Sequence, residues 1–228
     1  MVLDFFKGRR SGTAMEEVEA TIVEMLRNGR EVYDAATAAV FGGGKSKETK
    51  REVKGTDRKI NASEREVRRT LMTHSAVTGD IDLPLVLAYM SVVKDVERVG
   101  DYSKNLYELA KLGIDFSTAP DGDELKHYRD AVGQLISDAA DAFENRDVER
   151  ARSLVAKADG FLDEYDDHVV AQARSERPAL EAVPRALFFR FLKRITAHVM
   201  NLMTSLVLPV DQLDYYDEAK DDRDDAPS

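Results

Sequence analysis

The chain has 228 residues, of which 43% are apolar and 33% charged, with a net charge of −10 and no cysteine. That is enough apolar material for a core beneath long amphipathic helices, while the absence of cysteine excludes disulfides and thiolate metal sites and fits a reducing compartment. The opening Met1-Val2-Leu3-Asp4-Phe5-Phe6-Lys7 is too short and too charged for a signal peptide. No run approaches the ~20 apolar residues of a membrane span, so a soluble, cytoplasmic protein is expected.

Glycine and proline divide the chain into six helical segments. The first, over 14–41, carries Val18, Ile22, Met25 and Val32 at helical spacing and stops at Gly42-Gly43-Gly44. The second covers 46–78 and is weakened locally by Gly55. Asp80 or Asp82, followed by Pro84, starts the third, which runs to Leu112 and ends at Gly113. Residues 114–123, with Pro120 and Gly122, read as a linker. The fourth helix spans 124–145. The fifth has a heptad through Val148, Ala151, Val155, Ala158, Leu162, Tyr165 and Val169. Pro178 and Pro184 bracket a short connection, and the sixth helix runs to Leu208. No stretch alternates with period two, so no strand is expected.

One helical pattern is written twice, 96 residues apart. Val92, Val96, Val99, Ser103, Leu106 and Ala110 are matched by Phe188, Leu192, Ile195, Val199, Leu202 and Leu206. Their spacings of four and three put each set on one helix face. An internal repeat of this kind predicts an all-α protein of two tandem three-helix bundles, over residues 14–113 and 123–208. Beyond them, from Asp211 to Ser228, eight acidic residues face two basic ones. That composition predicts an acidic, disordered tail over 209–228. From Lys45 to Lys59 seven basic residues face three acidic ones. This stretch reads as a solvated helix face, and no nucleic-acid partner is expected.

The repeat conserves the scaffold but not the charges: Glu97-Arg98 and Asp101 in the first copy stand where Lys193-Arg194 and Ala197 stand in the second. Glu97 and Asp101 continue the stripe of Val86, Met90 and Val93, on a different side of the third helix from the seam. That apolar half-stripe must be buried by its own bundle or by a second subunit, and a homodimer is expected. Two carboxylates one helical turn apart call for a cation, either a metal or a side chain. Lys94 and Lys104, three residues before and after the pair, are the side chains in reach.

The segment Lys94-Asp95-Val96-Glu97-Arg98-Val99-Gly100-Asp101-Tyr102-Ser103-Lys104-Asn105 resembles the signature helix of the PhoU family of phosphate-uptake regulators. Thr56-Asp57-Arg58-Lys59-Ile60-Asn61 resembles that family's acidic motif on the preceding helix. In the second half, Asp159-Gly160-Phe161-Leu162-Asp163 and the Leu192–His198 stretch with Asn201 fit the same two motifs, the signature acids having been replaced. The resemblance implies two tandem repeats of up-and-down, spectrin-like helices, the second degenerate. It also implies a cytoplasmic adaptor that restrains phosphate uptake and phosphate-starvation signalling and is not an enzyme. The partners implied are a phosphate transporter, often the ATPase side of an ABC importer, and a sensor histidine kinase, with membrane contact only through them. Carried over residue by residue, it implies a metal site at Asp57, Glu97 and Asp101, with Asn61 where a second acid is expected. Such oxygen ligands suit Mg, Mn, Ca or Fe, and no organic cofactor is implied. In the second repeat Lys193 is expected to pair with Asp159 or Asp163 and to leave that half metal-free.

Other chemistries fit poorly. Gly43-Gly44-Lys45-Ser46 resembles the end of a P-loop, but Ala39 stands where its first glycine belongs and a helix precedes it. A di-iron carboxylate enzyme needs two inward Glu-x-x-His pairs, and only Glu124-Leu125-Lys126-His127 has that form. His74, His127, His168 and His198 are scattered, and no nucleophile triad is assignable. The competing reading is a structural helical-bundle interaction protein that serves another transporter, without dependence on metal or phosphate.

Overall fold

A computed structural model describes residues 13–77 and 82–213. Six long helices make up nearly all of it: α1 (Thr13–Ala38), α2 (Lys47–Val77), α3 (Leu83–Lys111), α4 (Gly122–Glu144), α5 (Val148–Arg174) and α6 (Ala179–Val207). Among the described residues there is no strand. The segment read against a signal peptide, and residues 214–228 of the acidic tail, lie outside the described residues.

The helix ends follow the local chemistry. α1 runs into a π-helical turn, Ala39–Gly43, closed by Gly44 donating its N–H to Ala39 O at 3.0 Å. The chain turns there through Gly42 and Gly44, at φ 101° and 59°, conformations that cost glycine little. Asp82 caps α3 by accepting from the Leu85 N–H, with Pro84 in the first turn. α2 passes through Gly55 unbroken. The expected connection up to Pro184 is absent. α6 begins at Ala179, directly after Pro178, and Pro184 lies buried inside it. Its ring removes only the hydrogen bond to Leu180 O, at a residue 86% exposed and so open to water.

The halves are two three-helix units, α1–α3 and α4–α6, and equivalent helices pack on each other: α1 on α4 and α3 on α6. α2 and α5 pack chiefly within their own units and stand on the outside. On α3, Asp95 meets His198 and Asn201, while Tyr102 meets Phe191 and Arg194. Numbers rise on one helix as they fall on the other, so α3 and α6 run antiparallel. Tyr102 and His198 are equivalent in the 96-residue register, and their rings stack on each other with centroids 5.6 Å apart. A pseudo-two-fold axis therefore passes close to that stack.

All twelve seam residues, Val92 to Ala110 and Phe188 to Leu206, are buried. Val86 and Val93 are buried and Met90 packs on the core within the single chain, so this stripe supplies no reason for a second subunit. The start of the expected tail is also packed. Val210–Gln212 form a 3-10 turn, and Leu213 is buried, its carbonyl accepting from Thr204 Oγ1 at 2.8 Å.

The connection between halves is built as a clamp. Phe116 is buried against Phe41 of the first half and Phe188 of the second, and its N–H donates to Val40 O at 2.8 Å. Asp121, just before α4, receives two 2.7 Å hydrogen bonds from Arg185 of α6. On the far side of the molecule Arg146, at φ 49° in the α4–α5 turn, grips Glu19 of α1 with two contacts of 2.6 Å. Tyr89 of α3 donates its hydroxyl to the same carboxylate. Burial and the Glu19 charge push the Tyr89 phenol well above its usual pKa, so it stays a donor.

Candidate functional site

The acids singled out in the sequence lie along the seam between α2 and α3. α2 turns Val53, Thr56, Ile60, Glu64, Val67 and Leu71 inward at spacings of three and four. Gly100 lets α3 approach closely: a Cβ there would sit 2.8 Å from Ile60 Cδ1. The approach brings Asp57 beside Asp101 and Lys104 on one side of Ile60, and Glu64 beside Lys94 on the other.

Basic side chains join every acid in the row. Lys104 Nζ donates to Asp57 Oδ1 at 2.8 Å and to Asp101 Oδ1 at 3.0 Å. Arg98 donates to Asp101 Oδ2 at 3.0 Å. Lys94 Nζ lies 2.8 Å from Glu97 Oε2 and 3.8 Å from Glu64 Oε1, and Arg68 lies 3.2 Å from Glu64. Glu97 Oε2 is buried and its approach to Lys94 lacks hydrogen-bond geometry, so this contact is an ion pair without a directed hydrogen bond. Four carboxylates thus alternate with four cations in a ladder that sums to neutral. Burial acts to lower the Lys104 pKa, but hydrogen bonds to Asp57 and Asp101 and their charges outweigh it, and the pKa is raised. The ammonium's contribution is therefore complete below its ordinary 10.5 and is lost only as pH rises through the higher folded value.

Of the three acids expected to share a cation, Asp57 and Asp101 meet at Lys104 while Glu97 faces Lys94, and Glu64, not among the expected residues, joins the row. The signal was present, since Glu64 is seven residues after Asp57 on the same inward stripe. Asn61, between them, turns its amide to Asp57 O at 3.0 Å and adds no ligand to the row. As a test of metal fit, the donor set is hard and oxygen-rich, as a divalent cation would want. Yet Lys104 occupies the point where Asp57 and Asp101 meet, and Glu97 turns to Lys94. Among the described residues no group of three His, Asp or Glu side chains is placed to hold a metal ion. The residues as arranged do not fit a metal unless Lys104 leaves. Replacing it with methionine should make Mg or Mn binding by calorimetry tighter than in the wild type. Equal binding in the two would show that the ammonium is not the occupant of a cation position.

In the second half, Lys193 stands where Glu97 does and contacts Asp166, three residues beyond Asp163 on α5. Ala197, in the place of Asp101, is buried. The Glu97–Asp101 carboxylate pair of the ladder therefore has no counterpart on α6. A second polar set, at the pseudo-axis, was also missed. His198 Nδ1 lies 2.8 Å from Asp95 Oδ1, Asn201 donates to the same oxygen, and Arg194 lies over the Tyr102 ring. These pairs join residues about 100 positions apart, so local spacing gave no hint of them.

The described residues therefore define a two-repeat, six-helix bundle with an ion-pair ladder in its first repeat, and none of their helices is long and apolar enough to cross a membrane. The PhoU domain family model matches residues 22–110, which hold α3's signature segment and all of α2. The chain is 29% identical over 183 residues to a phosphate-specific transport system accessory protein PhoU homolog of Pseudomonas putida, covering 76% of this chain and 69% of that one. It is 24% identical over 195 residues to one of Synechocystis, covering 83% and 86%. The crystal structure of PhoU from Pseudomonas aeruginosa superposes with a TM-score of 0.72 at 22% identity, over 90% of this chain and 98% of that one. The phosphate transport system regulatory protein PhoU from Streptococcus pneumoniae gives 0.71 at 18% identity, over 92% and 97%. Residues 22–110 thus carry a PhoU domain, and the fold resembles that of PhoU crystal structures along nearly the whole chain.

Proposed function

We propose that this chain is a cytoplasmic accessory protein of phosphate transport, an adaptor without enzymatic activity. It restrains uptake and phosphate-starvation signalling by binding a phosphate transporter and a sensor histidine kinase. The observation that carries this reading is the match over residues 22–110, because it covers the half that keeps the acidic signature on α3. The accessory-protein names of the two relatives support the transport side. The neutral ladder supports an adaptor, since its charges are spent on holding α2 to α3. A second subunit is a further partner in this reading. It would use surface other than the Val86–Val93 stripe, such as Leu180, Val183 and Leu187, which are exposed along one side of α6.

The test is capture of the tagged full-length protein from its own cells grown in high and in low phosphate, with phosphate uptake measured in a deletion strain. The expected result is recovery of a transporter ATPase or carrier and of a histidine kinase, together with uptake that no longer falls in high phosphate. Normal uptake control in the deletion strain, with neither partner recovered, would favour the structural reading, in which the bundle serves another transporter.

A further inference from the structure

The outer face of α2 is a continuous basic stripe. Lys47, Arg51, Lys54, Arg58, Arg65 and Arg69 recur at spacings of four, three, four, seven and four. At 100° per residue they fall within about 60° of arc and run about 33 Å along the helix. All six are exposed, and none is in an ion pair among the described residues. The fold does not require this stripe. α5, the equivalent outer helix of the second repeat, carries six acidic and four basic residues where α2 carries nine basic and five acidic. A row of unpaired cations on a chain of net charge −10 calls for an anionic occupant.

Residues 214–228 have the matching chemistry. Asp214, Asp217, Glu218, Asp221, Asp222, Asp224 and Asp225 are seven acids against two bases, Lys220 and Arg223. The place where the described chain stops also suits. Asn201 meets Asp95, so Thr204, which holds Leu213, is about level with Val92 of α3. Across α3, Glu64 of α2 lies beside Lys94, so the turn from Arg65 to Arg69 is at that same level. Fifteen residues can span up to about 50 Å, several times the width of the one intervening helix.

We infer that residues 217–225 dock along the basic stripe of α2, from the Arg65–Arg69 turn toward Lys47, with residues 214–216 spanning the intervening helix, and cover it against other anionic surfaces. The contact is electrostatic and weakens with salt, because the Debye length falls from about 10 Å at 0.1 M to about 3 Å at 1 M.

The chain has no cysteine, so Ala62→Cys in the middle of the stripe and Ala219→Cys in the acidic segment give two unique thiols in the full-length protein. A short bis-maleimide should link them within one chain at low salt, at least about tenfold faster than at 1 M salt, by the screening just described. Arg58→Glu with Arg65→Glu and Arg69→Glu should slow the reaction to the high-salt rate, provided circular dichroism shows the helices intact. Asp221→Asn, Asp222→Asn, Asp224→Asn and Asp225→Asn should do the same from the other side without touching the bundle. A rate indifferent to salt and to both sets of substitutions would overturn the inference, since it would mean unguided collision. Linkage only between two chains would overturn it as well, assigning the stripe to the segment of a second copy.

Discussion

Asp121→Asn should lower the unfolding free energy by about 3 kcal/mol, read as a drop in the urea midpoint with an unchanged slope. Asp121 sits in the connection between halves, and its carboxylate receives both 2.7 Å contacts from Arg185, whose side chain is only 5% exposed. The asparagine keeps the shape but removes the charge, leaving a guanidinium in the interior against the Phe116 ring with only the weaker influence of the Glu181 charge. Breaking a buried pair from one side costs roughly 3–5 kcal/mol. The lower end applies because Asp121 keeps some water contact and also neighbours Arg177 at 3.4 Å. A pH dependence accompanies it. The hydrogen bond from Arg185, opposed by burial, holds the Asp121 carboxyl below its ordinary 3.8. A depressed carboxyl stabilises fully above the unfolded value, and that stability drains as pH falls through the folded one. Acid melts of the wild type should therefore lose stability below pH 4, and the Asp121→Asn substitution should flatten that portion of the curve. A loss under 1 kcal/mol at neutral pH would show that Arg185 is well hydrated.

The fold was legible wherever periodicity and punctuation agreed. The 96-residue register needed only apolar spacing, and every residue in it is buried. Asp82 and Pro84 started a helix, and the three glycines after Phe41 ended one, for reasons local to the chain. Pro184 misled because a proline in the second turn of a helix costs only one hydrogen bond, here to Leu180, an exposed residue. Leu213 was hidden inside an acidic stretch, and nothing local to it signals that Thr204 and α3 provide a place for it.

The candidate site was legible in part for the same reason. Lys94 and Lys104 are a helical turn from Glu97 and Asp101, so their pairing follows from spacing alone. That Lys104 also reaches Asp57 depends on how closely α2 and α3 approach, which Gly100 decides through its contact with Ile60. Lys193 occupies the place of Glu97, and its ammonium reaches Asp166, one turn further along α5 than Asp163, a contact that the repeat register alone does not specify.

Phe116→Ala should be at least as costly, about 3–5 kcal/mol, the usual range for emptying a fully buried phenylalanine site. The residue was read only as part of a linker, yet its ring is 2% exposed and lies edge-on to Phe41 at 5.7 Å and Phe188 at 5.5 Å. Those two rings belong to opposite halves and also touch each other, so the three form one aromatic cluster to which both repeats contribute. Truncation removes the ring that fills the space between them, and edge-on aromatic pairs contribute somewhat beyond their buried area. Neighbouring groups have little freedom to collapse into the gap. The Phe116 N–H is tied to Val40 O, and Arg185 is held by Asp121. Because the cluster is shared, and because α1 packs on α4 and α3 on α6, the halves should still unfold together, giving one transition moved to lower urea. Two separated transitions after Phe116→Ala would instead mean that this ring, more than the helix interfaces, couples the repeats.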